Sequence, residues 1–345
     1  MRQGMFMRKQ HLDPRGIRIR FALMVIGLVL LFVALLLGSR WLEKRAERPE
    51  QMGDYRQRYA YEDLLEVDGA AYRPRKMLTT ILLMGVDRDT EEGTETVSYR
   101  NGGQVDFLRL LVIDPERKQI AQLQIDRDTM TPITILGVLG NRSGVREAQI
   151  ALSHGFGDGR EQSCELTVEA VSNLLLGIGI DFYAALNMDG IAALNDAVGG
   201  VTVTLPEDFS ASDSAMTKGA TLTLSGEQAE IFVRGRKGIG EGTNEGRMER
   251  QQLFMSALGE LLEQRQSEDS RFAEMLYDAL SPYLVTNLSK ARLINEAWYA
   301  SGYAHIAPYA LDGDHQVSGS GFMQFIVDEA SVQEIVLELF YEKII

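Results

Sequence analysis

An uninterrupted apolar run near the N-terminus sets the strongest constraint on how this chain can fold. Residues 21–38 are 18 consecutive positions without a charged or strongly polar side chain. As a helix this run is about 27 Å long, close to the hydrocarbon thickness of a bilayer. A buried core helix usually keeps a polar stripe, and a cleaved signal peptide has a shorter apolar core followed by a small-residue cleavage site. Because neither pattern is present, the run predicts one transmembrane helix.

The charges around this run predict its orientation. Residues 1–20 contain six basic side chains and one acid, and positive segments of this kind stay on the cytoplasmic side of a membrane. We therefore expect a cytoplasmic basic tail at 1–20, a transmembrane helix at 21–38 and a C-terminal domain outside the cytoplasm. This is the topology of a single-pass type II protein of the cell membrane, which contacts the lipid bilayer through residues 21–38.

The rest of the chain is acidic. Without residues 1–20 it has 29 basic and 48 acidic residues, a formal charge of −19. This charge argues against nucleic acid as a partner, because Lys and Arg are needed to neutralise phosphates. An anionic ligand would need a local cluster of arginines instead. Cys164 is the single cysteine of the chain, so the domain has no internal disulfide and must be stable through packing.

Strand and turn signals organise the region after the apolar run. Residues 39–76 are charged and irregular, which predicts a stalk or linker. Apolar, β-rich runs follow at residues 78–85, 105–113 and 119–125. Asp114 and Pro115 stand between the last two runs, and this combination is typical of the turn of a hairpin.

Helical patterns alternate with further strands in the middle of the chain. Ser163 is the predicted N-cap of a helix at 164–176, and Ser225 begins a capping box with Gln228. The other predicted elements are a strand at 180–187, a helix at 189–200, a strand at 201–205 and a helix at 247–264. This alternation predicts an α/β (α+β) fold with helices on both faces of a mixed central sheet. We place the functional domain at 77–265 and a C-terminal extension packed on it at 266–345.

Two acids lie at strand ends that the predicted fold brings near each other. Asp87 follows the first buried strand directly, and Asp106 begins the second. Two carboxylates that converge there suit Mg²⁺, which takes oxygen ligands and usually keeps water or phosphate oxygens in its shell. The alternative is that both are solvated turn residues, as polar residues at strand ends often are.

A second group of residues is basic. Arg247, Arg250 and Gln251 are spaced i, i+3 and i+4, so they share one helix face. Arg234 and Arg236 share a side if the chain there is extended. Guanidinium groups bind a diphosphate bidentately, which lysines do poorly. The group therefore predicts an anion site, with an exposed basic loop as the alternative.

Cys164 and His154 allow two interpretations. They form a possible nucleophile and base pair, or Cys164 packs in the core at the start of its helix. His154 belongs to the glycine-rich stretch His-Gly-Phe-Gly-Asp-Gly and is a candidate base that lines the site.

The order of these motifs resembles that of the LytR–CpsA–Psr family of cell-envelope proteins. The similarity covers roughly residues 77–252 and consists of Gly85-x-Asp87, Asp106-x-x-x-Leu-x-x-Ile-Asp-Pro, Gln-Ile-Asp-Arg127-Asp-Thr, Val-Arg234-x-Arg236 and Gly-Arg247-x-x-Arg-Gln251-Gln. The resemblance implies transfer of a glycopolymer from an undecaprenyl diphosphate carrier to peptidoglycan in Gram-positive bacteria. It also implies an apolar tunnel for the polyprenyl tail.

The resemblance also assigns roles to individual residues. Asp87 and Asp106 match the metal-binding acids, so Mg²⁺ is the expected cofactor. The expected catalytic residues are Asp106, Arg127, Arg234 and Arg236. For substrate binding, the resemblance points to Arg247 and Gln251. We add as expected substrate-binding residues those that lie in or beside the same stretches, namely Arg88, Asp128, Gln149, His154 and Arg250.

Several positions depart from the family pattern. Gln104 replaces an arginine, Phe107 a Thr or Ser, Asp126 a proline, Asn244 an acid, and Gln149 and Ala151 a Lys and an Asn. Two cationic groups are thereby lost, and the loss of one group that stabilises a transition state lowers a rate by roughly 10²–10³. Two functions therefore stay open: a membrane-anchored glycopolymer phosphotransferase, and a non-catalytic module that binds polyprenyl phosphate or regulates the envelope.

Overall fold

The computed structural model describes residues 65–87, 102–137, 140–235, 244–300, 302–319 and 321–344. The predicted basic tail and transmembrane helix lie outside these residues, as do Arg88 and Arg236. Within the described ranges no helix is both long and apolar enough to cross a membrane.

The described residues form sixteen strands, seven α-helices and three short 3₁₀-helical turns at Ile150–Leu152, His154–Phe156 and Ser281–Tyr283. The strands are β1 (Leu65–Val67), β2 (Ala70–Pro74), β3 (Thr79–Asp87), β4 (Gln104–Asp114), β5 (Gln119–Ile125), β6 (Met130–Leu136), β7 (Arg142–Gln149), β8 (Phe182–Asn187), β9 (Thr202–Thr204), β10 (Thr221–Thr223), β11 (Leu284–Thr286), β12 (Ala304–His305), β13 (Tyr309–Ala310), β14 (Gly313–Val317), β15 (Met323–Val327) and β16 (Tyr341–Ile344). The helices are α1 (Glu161–Leu174), α2 (Gly190–Val198), α3 (Gly226–Arg234), α4 (Asn244–Glu268), α5 (Phe272–Leu280), α6 (Lys290–Ala300) and α7 (Glu329–Phe340).

The central sheet is mixed, as the sequence predicts. Its strand order is β11-β8-β3-β4-β5, and both β12 and β13 pair with β5 at the far edge. β3 runs antiparallel to β4 and parallel to β8. The predicted hairpin is confirmed, because β4 and β5 pair antiparallel across the turn that contains Asp114 and Pro115.

Both faces of this sheet are buried, which is why helices cover it on two sides. Leu82, Leu110 and Leu123 face one way and pack with α1 and α7. Phe107 and Leu111 face the other way, towards the layer that α2 to α6 form. The predicted fold class, with helices on both sides of a mixed sheet, is therefore confirmed for the described residues.

The predicted domain boundaries differ from the structure at both ends. Residues 65–74 were placed in a stalk, but they form β1 and β2, and β2 pairs with the C-terminal strand β16. Residues 266–345 were placed in an extension, but β11, β12 and β13 are strands of the central sheet. Tyr55–Ile345 is accordingly one structural unit. These pairings join segments far apart in the chain, which local patterns do not register.

Helix ends also differ from expectation. α1 begins at Glu161, and its N-cap is Arg160 rather than Ser163. The Ser163 hydroxyl lies inside the first turn and accepts a hydrogen bond from the Gly159 amide at 2.7 Å. The helix predicted at 247–264 is longer and spans Asn244–Glu268.

The predicted capping box of α3 is confirmed and supports a test. The backbone amide of Gln228 donates to Ser225 Oγ, and the backbone amide of Ser225 donates to Gln228 Oε1. We expect Ser225→Ala to lower the free energy of unfolding by about 1 kcal/mol and Ser225→Gly by only a few tenths. Urea unfolding measures both, with the exposed Ser214→Ala as control. Equal losses for the alanine and glycine variants would contradict this role of the cap.

Candidate active site

A β-bulge places Asp106 at the centre of the candidate site. The register pairs Gly85 with Phe107 and then Val86 with Val105, so Asp106 is the extra residue of β4. Strict alternation would put Asp106 on the core face with Leu108. Val105 lies in that core instead. Bulges re-aim side chains in this way, and here the bulge keeps a carboxylate out of the hydrophobic core.

Two arginines share the Asp106 carboxylate. Arg127, just after β5, donates from Nη1 to Oδ1, and Arg247 of α4 donates from Nη1 to Oδ2 at 2.7 Å. The second Nη of Arg127 donates to Gln104 Oε1. Arg247 is buried. Charge-assisted bonds of this kind hold both guanidinium groups in fixed positions.

Arg234 and Asp87 form the neighbouring ion pair. Arg234 Nη2 lies 2.8 Å from Asp87 Oδ1, and Nη1 lies 2.5 Å from Glu230 and 3.9 Å from Asp189. Burial lowers the pKa of Arg234, but these three carboxylates raise it by more, so the pKa is above its ordinary value. Arg234 is the last residue of α3. The condition for Arg234 and Arg236 to share a side, an extended chain, is therefore not met at Arg234, which is helical.

Arg250 holds the end of α3 in place. Its Nε donates to the Phe232 carbonyl at 3.2 Å, its Nη2 donates to the Gly235 carbonyl, and its Nη1 pairs with Glu207. The last carbonyls of a helix lack partners within the helix, so this buried guanidinium satisfies them. The sequence predicts that Arg250 contacts substrate. In the structure Arg250 positions α3 and the last residue of that helix, Arg234.

Asp128 and Gln149 lie next to Arg127. Gln149 Nε2 donates to Asp128 Oδ1 at 3.0 Å and to the Met323 carbonyl at 2.7 Å. Asp128 Oδ1 is 3.6 Å from Arg127 Nε. These contacts support the guanidinium from the side opposite Asp106. The hairpin β14–β15 joins this support through Met323, a contact that local sequence patterns do not predict.

His154 and Cys164 are in the core rather than on the surface of the site. Both are buried, and Cys164 Sγ lies 3.9 Å from His154 Nε2. The packed interpretation of Cys164 therefore agrees with the structure. The prediction that His154 lines the site as a base does not, because its short helical turn packs beneath β4 and α1.

An apolar cavity of about 460 Å³ lies between the sheet and the helices α2 to α6. One end of its wall is built by chain neighbours of the charged residues, namely Gly85, Phe107, Val233 and Gln251. Gln251 is buried, and its Nε2 has no hydrogen-bond partner within the described part of the chain. The arginine and aspartate cluster and a long apolar space therefore meet at this end.

A buried cation in the same layer, Arg109, is not among the residues predicted from the sequence. Arg109 donates to Gln122 Oε1 at 3.0 Å and to Gln124 and Gln252 Oε1 at 2.6 Å each. Burial lowers its pKa to about 10, which still leaves it protonated at neutral pH. Through Gln252 this arginine ties α4 to the sheet. The sequence feature that could have indicated this cation is the alternation of Gln122 and Gln124 along β5. The face of β5 that carries these glutamines lies towards a helix rather than solvent.

The two acids fit one mode of Mg²⁺ binding. No group of three or more His, Cys, Asp or Glu side chains in the described ranges is arranged to hold a metal alone. Mg²⁺ is usually bound by one or two carboxylates together with substrate phosphates. Asp87 and Asp106 lie at adjacent ends of paired strands, so their donor chemistry suits a metal that arrives with a diphosphate.

Known proteins share this combination of fold and motifs. The LytR_cpsA_psr family model matches residues 50–340. The chain belongs to the LytR–CpsA–Psr family. The match includes the segment before β3 and nearly all of the C-terminal region, in agreement with the single structural unit that the strands form.

Individual relatives agree with this membership. The polyisoprenyl-teichoic acid–peptidoglycan teichoic acid transferase TagU of Halalkalibacterium halodurans is 32% identical over 179 residues, which are 52% of this chain and about half, 51%, of that protein. TagU of Bacillus mycoides is 27% identical over 261 residues, 75% of this chain and 77% of that protein. The crystal structure of TagV from B. subtilis superimposes with a TM-score of 0.59 at 25% identity, covering 77% of this chain and 96% of that one.

Proposed function

We propose that this protein is a membrane-anchored phosphotransferase that moves a glycopolymer from a polyprenyl-diphosphate carrier to the peptidoglycan of the cell wall. The observation that supports this most is the meeting of a charged cluster and an apolar cavity. Asp106, Arg127 and Arg247 lie beside residues that line one end of the cavity. A ligand that satisfies both regions has a diphosphate head and a long apolar tail.

The relatives support the same ligand class. Both TagU proteins are named as transferases that act on polyisoprenyl-linked teichoic acid and peptidoglycan. We extend this chemistry to the present chain, with the apolar run at residues 21–38 as its membrane anchor and the described domain outside the cytoplasm.

The proposed reaction is a phosphoryl transfer. A hydroxyl oxygen of a wall sugar forms a bond to the phosphorus that bears the glycopolymer, and the phosphoanhydride bond to the carrier breaks. The proton of the hydroxyl passes to Asp106, and polyprenyl phosphate leaves. Arg127, Arg234 and Arg247 neutralise the phosphate oxygens while this happens. Positioning and charge stabilisation of this kind account for most catalysis of phosphoryl transfer.

Mg²⁺ is part of this proposal. Asp87 and Asp106 would hold it, and when bound it would add positive charge next to the diphosphate oxygens. Gln251 would donate its buried amide to the head group of the donor, since the residue lines the cavity and the amide has no partner in the described part of the chain.

One observation favours the alternative of a binding module without turnover. Gln104 accepts a hydrogen bond from Arg127, where the family pattern has a further arginine. The site therefore has one cation fewer to stabilise a developing charge, although the arginines that remain can still bind a diphosphate.

Turnover by the full-length chain separates the two functions. We expect release of polyprenyl phosphate from a polyprenyl-diphosphate-linked saccharide in the presence of Mg²⁺ and a peptidoglycan acceptor. We also expect a decrease of about 10²–10³ in rate for Arg127→Lys, which cannot bind Asp106 and Gln104 together. The exposed Arg160→Lys is the matched control. Co-purified polyprenyl phosphate without any turnover would support the binding module, and an unchanged rate in Arg127→Lys would contradict the assignment.

A further inference from the structure

The apolar cavity follows one face of α4 away from the charged site. The α4 residues that line it recur every three or four positions and are Gln251, Phe254, Met255, Leu258, Gly259, Leu262, Glu263 and Gln266. From Gln251 to Glu263 the helix rises roughly 18 Å. The wall near Gln251 belongs to the candidate site, so the wall near Glu263 is a distal end with surroundings of its own.

The distal end reaches the surface. Glu263 and His305 both line the cavity, and Glu263 Oε1 lies 2.7 Å from His305 Nε2. Their side chains are 51% and 41% exposed. Each residue therefore contacts the cavity on one side and solvent on the other, so the pair is part of the wall between the cavity and the exterior at that point. A single half-exposed pair is weak and separates easily.

We propose that Glu263 and His305 close a second opening of the cavity, through which the end of a long polyprenyl chain leaves the protein. This inference rests on the proposed function, which places the diphosphate at the arginine cluster. A polyprenyl chain held there and extended along α4 reaches Glu263 after roughly 18 Å. A longer chain must pass this pair, whereas a shorter chain ends inside the cavity.

The middle of the cavity has room for such a chain. Gly259 faces it from α4, and a Cβ at this position would meet no atom within 4 Å. The surrounding wall comes from Leu276 and Leu280 of α5 and from Leu293 and Ala297 of α6. An apolar chain thus meets apolar side chains between the two ends, and the Glu263–His305 pair lies at the distal end.

The opening predicts a dependence on chain length. A prenyl diphosphate that ends before Glu263 should bind equally well whether the pair is open or locked. A long polyprenyl diphosphate should bind less well when the pair is locked, because its distal units lose their apolar path. The pair would therefore help determine which carrier lengths the protein accepts.

Covalent locking of the pair tests this. The full-length chain with Glu263→Cys and His305→Cys is joined by a cleavable bifunctional thiol reagent, and binding of farnesyl diphosphate and undecaprenyl diphosphate is measured before and after. Cys164 does not compete for the reagent because it is fully buried. We expect locking to weaken the binding of undecaprenyl diphosphate by at least about tenfold, which is the effect of losing the burial of two methylene groups. Farnesyl diphosphate should change by less than about twofold, and cleavage of the linker should restore the original affinities.

A second ion pair provides the matched control. Arg73 of β2 and Glu342 of β16 pair on the surface, and neither lines the cavity. Locking Arg73→Cys to Glu342→Cys should leave both affinities unchanged. Equal weakening of both lipids by the Glu263–His305 lock, or no weakening of the long one, would overturn the second opening and leave the proposed function standing. If neither lipid binds the unlocked protein, the proposed function fails and the opening with it.

Discussion

Asp106→Asn is expected to lower the rate of polyprenyl-diphosphate turnover by about 10²–10³ and the free energy of unfolding by about 3 kcal/mol. The amide keeps the shape of the side chain but removes the negative charge that Arg127 and Arg247 share. Arg247 is almost fully buried, so its charge would have no carboxylate at that position. Removing the charge of one partner from a buried ion pair is among the most destabilising changes that a single substitution makes.

The two effects need separate measurements. Urea unfolding gives the loss of stability, and turnover at a temperature well below the unfolding transition gives the loss of rate. Asp208→Asn is the control, because Asp208 is an exposed acid outside the site. A variant with normal stability and turnover would mean that Asp106 is a solvated strand-end residue and that the two arginines do not depend on it.

Gly259→Phe is expected to weaken binding of a long polyprenyl diphosphate by about a hundredfold or more, which corresponds to the burial of roughly four methylene groups. Gly259 lies in the interior of α4 and lines the cavity, where a new side chain would extend into open space. The aromatic ring would therefore extend into the path of the tail.

Stability distinguishes this effect from damage to the fold. Glycine in a helix interior is less favourable than alanine by roughly 0.5–1 kcal/mol, so Gly259→Ala should raise the free energy of unfolding by about that amount and leave lipid binding nearly unchanged. The phenylalanine variant should unfold no more easily than the natural chain. Unchanged lipid binding in Gly259→Phe would show that the tail does not occupy this cavity.

Local patterns were sufficient for much of the fold. β5 has the predicted bounds, the hairpin with β4 is confirmed, and the capping box of α3 has both of its hydrogen bonds. Hydrogen bonds between neighbours and alternating apolar residues determine these features. The edges of the central sheet were not predictable in this way, because β11, β12 and β13 pair with strands far away in the chain.

The candidate site, too, was predictable only in part from local patterns. Motif order pointed to Asp87, Asp106, Arg127, Arg234 and Arg247, and the structure brings these residues into two adjacent ion-paired groups. Spacing on a helix face could not distinguish the roles of Arg247 and Arg250. Arg247 binds Asp106, whereas Arg250 supports the end of α3. The partners of the two arginines come from other elements, so their different roles appear only after the helices pack.

The apolar run at residues 21–38 and the acidic charge of the remaining chain are properties of the sequence by itself, and so are the family motifs, because composition and residue order depend on no tertiary contact. Tertiary structure alone decided that a bulge moves Asp106 out of the core, that residues 65–74 and 266–344 belong to the same unit as the motifs, and that an apolar cavity begins beside the arginines. The physical reason is that a cavity and a shared carboxylate are relations between segments distant in the chain, and only packing of the whole domain brings those segments together.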